Sequence, residues 1–439
     1  MRDTIYALSS GHPPAGVAVI RISGPGVRFG LETLTGSVPV ARHAALADMK
    51  DGAGQLLDQG LALYFPEPHS FTGEDVGELQ IHGSRASVMA VLAALSSLPG
   101  FRPAEAGEFT RRAFENGRMD LTAVEGLADL IRAETEHQRR QALGQAGGRL
   151  KQLYEGWARR LTYGRAMIEA EIDFSDEEDI PGSVADRIWP DLEALAGEIA
   201  AHLKGARAGE IVRNGFRVAL VGAPNAGKSS LLNALADRDV AIVSDIPGTT
   251  RDVIEVRLDV GGHLVLLMDT AGIHDSDNPV ELEGIRRTMT TAETADLVLE
   301  LRSLEGAGGA VDAVLAPNRI LVGTKSDLVE GSLPDLPASG LLVSSKTGDG
   351  LDDLLAVISS RISEMDVARN DPLPTRDRHV LLLEECRMDL MAAVLGTGDP
   401  LEIRSERLRM AATALGRITG SVDVEELLGV IFSEFCVGK

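Results

Sequence analysis

Cysteine is almost missing from this chain: Cys386 and Cys436 are the only two among 439 residues. Two thiols cannot build a disulfide framework, so the fold depends on its cores, and such sparse use suits a reducing compartment. No run approaches the roughly 18 consecutive apolar residues that a spanning helix requires. Met1, Arg2, Asp3 and Thr4 do not open a basic-then-apolar leader, which predicts a cytoplasmic protein with no membrane contact. Positive charge is also short, with 43 lysines and arginines against 66 acidic residues and a net charge of −23. That balance repels polyanions from most of the surface, so any RNA contact must come from a local basic patch. What is present is ordinary for a globular chain. Hydrophobic residues at 44% and charged residues at 25% exclude disorder and collagen-like repeats, and the length predicts about two to four domains.

Proline is missing between Pro103 and Pro181 and again after Pro400. Because proline breaks helix interiors, both stretches read as helical. Leu121, Val124, Leu127, Ala128 and Ile131 recur at helical spacing in the first, and Leu408, Ala411, Ala412, Leu415 and Ile418 in the second. Between them short β-rich runs alternate with helical ones: Phe216 to Val221, Leu264 to Met268, Leu297 to Leu301, Ile320 to Val322 and Leu341 to Val343. This alternation predicts a doubly wound α/β sheet. Ahead of the helices, strand-like Val17 to Ile22, Ala62 to Tyr64 and Glu78 to Ile81 surround a helix near Ser87 to Leu98. The simplest organisation is an α+β domain over 1–118, one discontinuous α-helical domain made of 119–212 and 365–439, and an inserted α/β domain over 213–364. Two unrelated helical domains are the alternative.

Gly222-Ala-Pro-Asn-Ala-Gly227-Lys228-Ser229 fits GxxxxGK[ST] directly after one predicted strand and before the helical Ser230 to Ala236, the context a P-loop requires. The glycines let backbone amides across Asn225, Ala226 and Gly227 turn toward phosphate oxygens. Lys228 neutralises β/γ charge and the Ser229 hydroxyl ligates Mg²⁺. Further on, Ser244, Asp245, Ile246, Pro247, Gly248, Thr249 and Thr250 lead into Arg251-Asp252. A threonine of this segment, assigned to Thr250, completes the Mg²⁺ shell only when a γ-phosphate is present. Asp269, Thr270, Ala271 and Gly272 end the strand Leu264 to Met268. Asp269 can hold Mg²⁺ through water, and the Gly272 amide can sense the γ-phosphate.

Base choice is assigned to Thr324, Lys325, Ser326 and Asp327, after Ile320 to Val322. One carboxylate, that of Asp327, can accept from both N1–H and the 2-amino group of guanine, a pair adenine lacks. The Lys325 stem can cover the ring, and Ser344, Ser345 and Lys346 are placed to give a backbone donor to guanine O6. Asparagine is usual where Thr324 stands, so weaker bracing with retained guanine preference is expected. Together these elements predict a GTP-hydrolysing site. The water-orienting group stays open. Ile273 follows Gly272 where related sites carry glutamine, and His274, Asp275, Asp277, Glu281 and Glu283 all remain candidates.

At this point the chain resembles the MnmE (TrmE) family of tRNA-modification GTPases, which belong to the GTPases activated by dimerisation. The resemblance rests on Asp3-Thr-Ile, Val17 to Gly24, Phe71-Thr-Gly-Glu-Asp-Val76 with Glu78-Leu-Gln80, the motifs above, and the terminal Phe435-Cys-Val-Gly-Lys439. It implies an N-terminal α+β domain that dimerises and binds 5-formyl-tetrahydrofolate, a discontinuous helical domain and an inserted Ras-like P-loop G domain. It implies K⁺ held by Asn225, Ser244, Thr249 and the Ile246 carbonyl, standing in for an arginine finger, and it picks Glu281 as the water-orienting carboxylate. Folate contacts fall on Arg21, Glu78, Arg118 and Lys439, with arginine at 118 where relatives commonly have lysine. Cys436 would be catalytic in the modification, whereas Cys386 reads as a helix-packing residue. The implied reaction modifies C5 of the wobble uridine in certain tRNAs with a flavin-dependent partner, MnmG, in a heterotetramer or larger complex. This chain shows no GxGxxG of its own. Arg139-Arg140, Arg149 to Lys151 and Arg159-Arg160 are the candidate tRNA contacts. The rival reading is a ribosome-assembly P-loop GTPase.

Overall fold

The computed structural model describes residues 3–173, 187–242, 255–269, 292–305, 318–329, 340–365, 372–422, 428–429, 431–432, 435 and 438. These form two compact units. The first holds residues up to Ala128, Gln145–Trp189 and Ala392–Lys439; the second holds Asp129–Gly144 and Pro190–Met391.

In the first unit six strands, β1 (Thr4–Leu8), β2 (Ala15–Ser23), β3 (Ala45–Lys50), β4 (Leu56–Phe65), β5 (Val76–Gly83) and β6 (Phe101–Pro103), lie in the order β3-β4-β5-β2-β1-β6. All neighbours are antiparallel except β1 and β6. Alternation in β2 sends Ala18, Ile20 and Ile22 inward. There they join Leu79, Leu31 of helix Val27–Thr35, and Val88, Val91 and Leu95 of helix Arg85–Ser96. Ile5 and Ala7 face the other way, toward Ala104 and Phe109. Helix Arg149–Asp173 packs against helix Leu401–Thr419, and Leu408, Ala411, Leu415 and Ile418 are buried as their spacing predicts while Ala412 is half-buried. Phe432 and Phe435 bury beside Leu121 and Val124.

The second unit carries β7 (Phe216–Gly222), β8 (Glu255–Val260), β9 (His263–Asp269), β10 (Leu297–Ser303), β11 (Arg319–Thr324) and β12 (Leu341–Val343), in the order β12-β11-β10-β7-β9-β8. Every pairing is parallel except β8 with β9. Phe216, Val218 and Leu220 face one core with Leu231, Leu235, Ile358 and Ile362, and Ala219 and Val221 face another with Val298. Burial on both faces explains why β7 reads as a continuous apolar run from Val218 onward. Cys386 is buried within helix Asp377–Leu395, and burial pushes its thiol up to about 12, as befits a packing residue. Among the described residues no helix is long and apolar enough to cross a membrane.

Two imidazoles of this unit are held neutral. Burial, then the charge of His379, depresses His202 to about 4. Burial, then His137, depresses His263 to about 4, with Asp259 opposing. The unfolded chain titrates near the ordinary histidine value of about 6.5, so between these values it binds protons that the folded unit does not. The stability these groups contribute is complete above that upper value and is lost as pH falls toward the lower one. The thermal midpoint should therefore be lower at about pH 5 than at about pH 7, and His202→Gln should shrink the difference. An undiminished difference in that variant would contradict the assignment.

Candidate functional site

The C-terminal ends of β7, β9, β11 and β12 share one edge of the second sheet, where doubly wound folds place ligands. β7 ends at Gly222 and helix Lys228–Ala236 begins six residues later. The turn that joins them needs left-handed backbone at Asn225 (φ 63°) and Gly227 (φ 90°). Glycine adopts this freely, and asparagine tolerates it better than most residues. The Asn225 side chain is exposed and makes no hydrogen bond with any described residue. Lys228 folds back over the loop, its Nζ donating to the Gly222 carbonyl at 2.7 Å and the Ala223 carbonyl at 3.2 Å. Burial lowers its pKa from the lysine norm, and Asp269 opposes that shift.

Ser229 Oγ donates to Asp269 Oδ2 at 3.2 Å, while Asp269 Oδ1 is buried with no hydrogen bond among the described residues. A hydroxyl beside a carboxylate with a spare buried oxygen is a hard-oxygen pair that suits Mg²⁺.

At the ends of β11 and β12, Thr324, Lys325, Asp327, Ser345 and Lys346 converge around a cavity of about 480 Å³ that also touches Gly227 and Ser230, while Ser326 and Ser344 do not line it. Thr324 is buried, and its hydroxyl donates to the Ala226 carbonyl at 2.6 Å, with the Arg302 carbonyl at 3.3 Å. The brace lost with the amide of asparagine is thus made by a hydroxyl. Asp327 Oδ1 accepts from Ser344 Oγ at 2.7 Å, which fixes the carboxylate. Lys325, at φ 59°, bonds Glu305 through Nζ at 2.8 Å, a partner that sequence reasoning had not singled out. The Ser344 amide donates to Asp349 O and the Lys346 amide to Ser344 Oγ, leaving the Ser345 N–H without a partner among the described residues. Ser326 opens the short helix Ser326–Leu328.

In the first unit Arg21 and Glu78 sit directly opposite on β2 and β5. Arg21 donates twice to Glu78 Oε1, at 3.1 and 3.0 Å, and its guanidinium stacks over Phe71 and Phe109. Glu78 Oε2 has no bond to a described residue. Arg118 is exposed, with its stem over Gly73. Beneath this loop runs a network that sequence reasoning missed. Ser23 Oγ meets Thr72 Oγ1 at 2.7 Å and Glu74 Oε2 at 2.9 Å, buried Arg112 donates to Glu74 at 3.0 Å, and Asn116 donates to the Thr72 carbonyl at 2.7 Å. Its only signal was the Phe71 to Val76 motif, quoted there for resemblance and not for contacts. Gly438 lies against Leu8, its carbonyl accepting from Ser9 Oγ at 2.7 Å. Ser244, Asp245, Ile246, Pro247, Gly248, Thr249, Thr250, Thr270, Ala271, Gly272, Glu281, Cys436 and Lys439 lie outside the described residues.

The family described as MnmE helical domain matches residues 121–436, and that described as GTP-binding protein TrmE N-terminus matches residues 4–118. Curated relatives are similar along the whole chain. The tRNA modification GTPase MnmE of Rhizobium johnstonii is 53% identical across 100% of this chain and 99% of the relative. The proteins of that name from Agrobacterium fabrum, 53% identical, and Brucella ovis, 52% identical, likewise span 100% of this chain and 99% and 98% of their own lengths.

Proposed function

The chain belongs to the MnmE family of tRNA modification GTPases, and we propose on that premise a K⁺-stimulated homodimer that works with the flavoprotein MnmG on the wobble uridine of certain tRNAs in the cytoplasm. It is a GTP hydrolase that acts in tRNA modification. In the proposed reaction a carboxymethylaminomethyl or aminomethyl group is installed at C5, with a folate supplying the one-carbon unit and glycine or ammonium the amine. The observation that carries the nucleotide half is the Ser229–Asp269 pair with its spare buried oxygen, set beside Lys228 on the phosphate loop.

In this reading Ser229 and Thr250 would hold Mg²⁺, with Asp269 acting through water, and the ion would supply charge neutralisation at the phosphates. Asn225, Ser244, Thr249 and the Ile246 carbonyl would hold K⁺. Of these, Asn225 lies among the described residues, and its exposed neutral amide with no bond to a described residue supports this reading. Lys228 neutralises β/γ charge, the turned loop amides bind phosphate oxygens, and Glu281 orients the attacking water. Asp327 accepts from guanine N1–H and the 2-amino group, the Ser345 amide donates to O6, and the Lys325 stem covers the ring. Domains over 1–118, 119–212 with 365–439, and 213–364 divide the work.

The folate reading is supported by the Arg21–Glu78 pair. Glu78 keeps one oxygen for the amidine-like edge of a pterin, and Arg118 and Lys439 offer cations for a glutamyl tail. A chain without GxGxxG needs a partner to carry the flavin.

Mass analysis of tRNA nucleosides from cells lacking this chain should reveal wobble uridine without its C5 group, restored by the wild-type chain. Intact modification would remove the proposed substrate, and recovery with ribosomal particles instead would favour an assembly factor. Exchange of K⁺ for Na⁺ should slow GTP hydrolysis at least about tenfold, since a cation in an arginine finger's place acts on transition-state charge. Indifference to the exchange would remove K⁺ from the mechanism.

A further inference from the structure

The β8–β9 hairpin is gripped at its turn by the residues that open helix Glu136–Ala146. Gly261 and Gly262 have φ of 62° and 86°, the left-handed pair of a two-residue type I′ loop. A side chain at 262 would place its Cβ 2.5 Å from His137 Nδ1. That space is used. The His137 backbone amide donates to the Gly262 carbonyl at 3.2 Å, and His137 Nδ1 lies 2.9 Å from the same oxygen. A carbonyl only accepts, so Nδ1 carries the proton. The His137 ring then lies flat on that of His263, with centroids 3.9 Å apart and planes 15° apart. One strand over, Arg257 donates to both oxygens of Glu134, at 2.9 and 3.0 Å. Gln138 Oε1 accepts from the amides of Glu134 and Thr135, which sets the chain for both contacts.

Arg257 is also where the two ends of the segment holding Thr249 and Thr250 come together. The chain enters that segment from Ile242, whose amide donates to the Arg257 carbonyl at 2.8 Å. It returns into β8, whose Asp259 amide donates to the Val240 carbonyl at 2.7 Å. β9, which starts at His263 beside the stack, ends at Asp269 in register with Leu220 of the phosphate-loop strand. Strand β9 therefore runs from the His137–His263 stack to the carboxylate beside Ser229, and β8, which carries Arg257, is paired with it along its length.

We propose that Glu134 and His137 are positioning residues of the nucleotide site, holding Arg257 and the Gly261–Gly262 turn so that their grip sets the relative affinity for GTP and GDP. The inference rests on guanine-nucleotide binding alone and is independent of K⁺, folate and the flavoprotein partner. A grip that differs between nucleotide states must, by linkage, change the ratio of the two affinities when it is released, whereas a contact that only stabilises the fold changes both alike.

The test uses the full chain with Mg²⁺ and measures dissociation constants for GDP and for a non-hydrolysable GTP analogue. Glu134→Gln loses the charge with little change of shape, and His137→Phe keeps a ring for stacking and the backbone bond but loses the Nδ1 bond to the Gly262 carbonyl. The ratio of the two constants should move at least about threefold from wild type in each variant. A smaller change in both overturns the proposal, whatever happens to the thermal midpoint. Should Glu134→Gln fail to fold, His137→Phe alone decides. Wild-type protein that bound neither nucleotide would instead count against the GTP site itself.

Discussion

Asp327→Asn should weaken GTP and GDP binding by about two orders of magnitude and open the site to xanthosine nucleotides, an effect expected because hydrogen bonds to a charged group contribute about 1.5–3 kcal/mol each. In the proposed binding mode the carboxylate accepts from two guanine donors. An amide keeps one acceptor and turns an N–H₂ toward the 2-amino group, so donor faces donor. Xanthine carries a carbonyl at that position and restores the complement. Ser344 Oγ can still donate to the amide oxygen at residue 327, so the loop keeps its anchor. Titration with labelled GDP, with competition by xanthosine diphosphate, reads both effects. GDP affinity within about threefold of wild type would show that Asp327 does not read the base.

Glu281→Ala should lower the turnover of GTP by about 10²-fold or more, the range for a positioned carboxylate acting on a proton or water, while leaving GDP affinity unchanged. The separation matters because loss of Lys228 would damage binding and chemistry together. Ile273 stands in the sequence where related sites carry glutamine, and the proposed reading gives that role to Glu281. His274→Ala, Asp275→Ala, Asp277→Ala and Glu283→Ala serve as internal controls and should retain turnover. Single-turnover hydrolysis at saturating protein isolates the chemical step. Normal turnover in Glu281→Ala, with a loss in one of the four others, would move the role to that residue.

Strands buried on both faces were the legible part of the fold. Phe216 to Val221 and Leu297 to Leu301 stand out as apolar runs, each interrupted by a single charged residue, Arg217 and Glu300, because both faces meet a core. β8 was missed for the opposite reason. Glu-Val-Arg-Leu-Asp-Val alternates polar with apolar residues, although that period and the Gly-Gly after it together announce a hairpin. β1 and β6 are short, and β6 ends on proline. At the site, motifs place Lys228, Ser229, Asp269 and Asp327 because their spacing is tied to strand ends. Contacts between distant side chains leave no such trace. Nothing in the sequence ties Glu134 to Arg257, 123 residues apart, or reveals that the Thr324 hydroxyl takes over the brace. Strand alternation puts Arg21 and Glu78 on strands, but only register sets them opposite each other.

The left-handed backbone at Asn225 has a practical corollary for dissecting the phosphate loop. Alanine at that position would remove the amide oxygen and impose a strained dihedral at once, confounding two losses, whereas glycine accepts φ 63° and deletes the side chain alone. The gap between the two variants then isolates loop geometry, and the glycine variant by itself reports what the missing oxygen did.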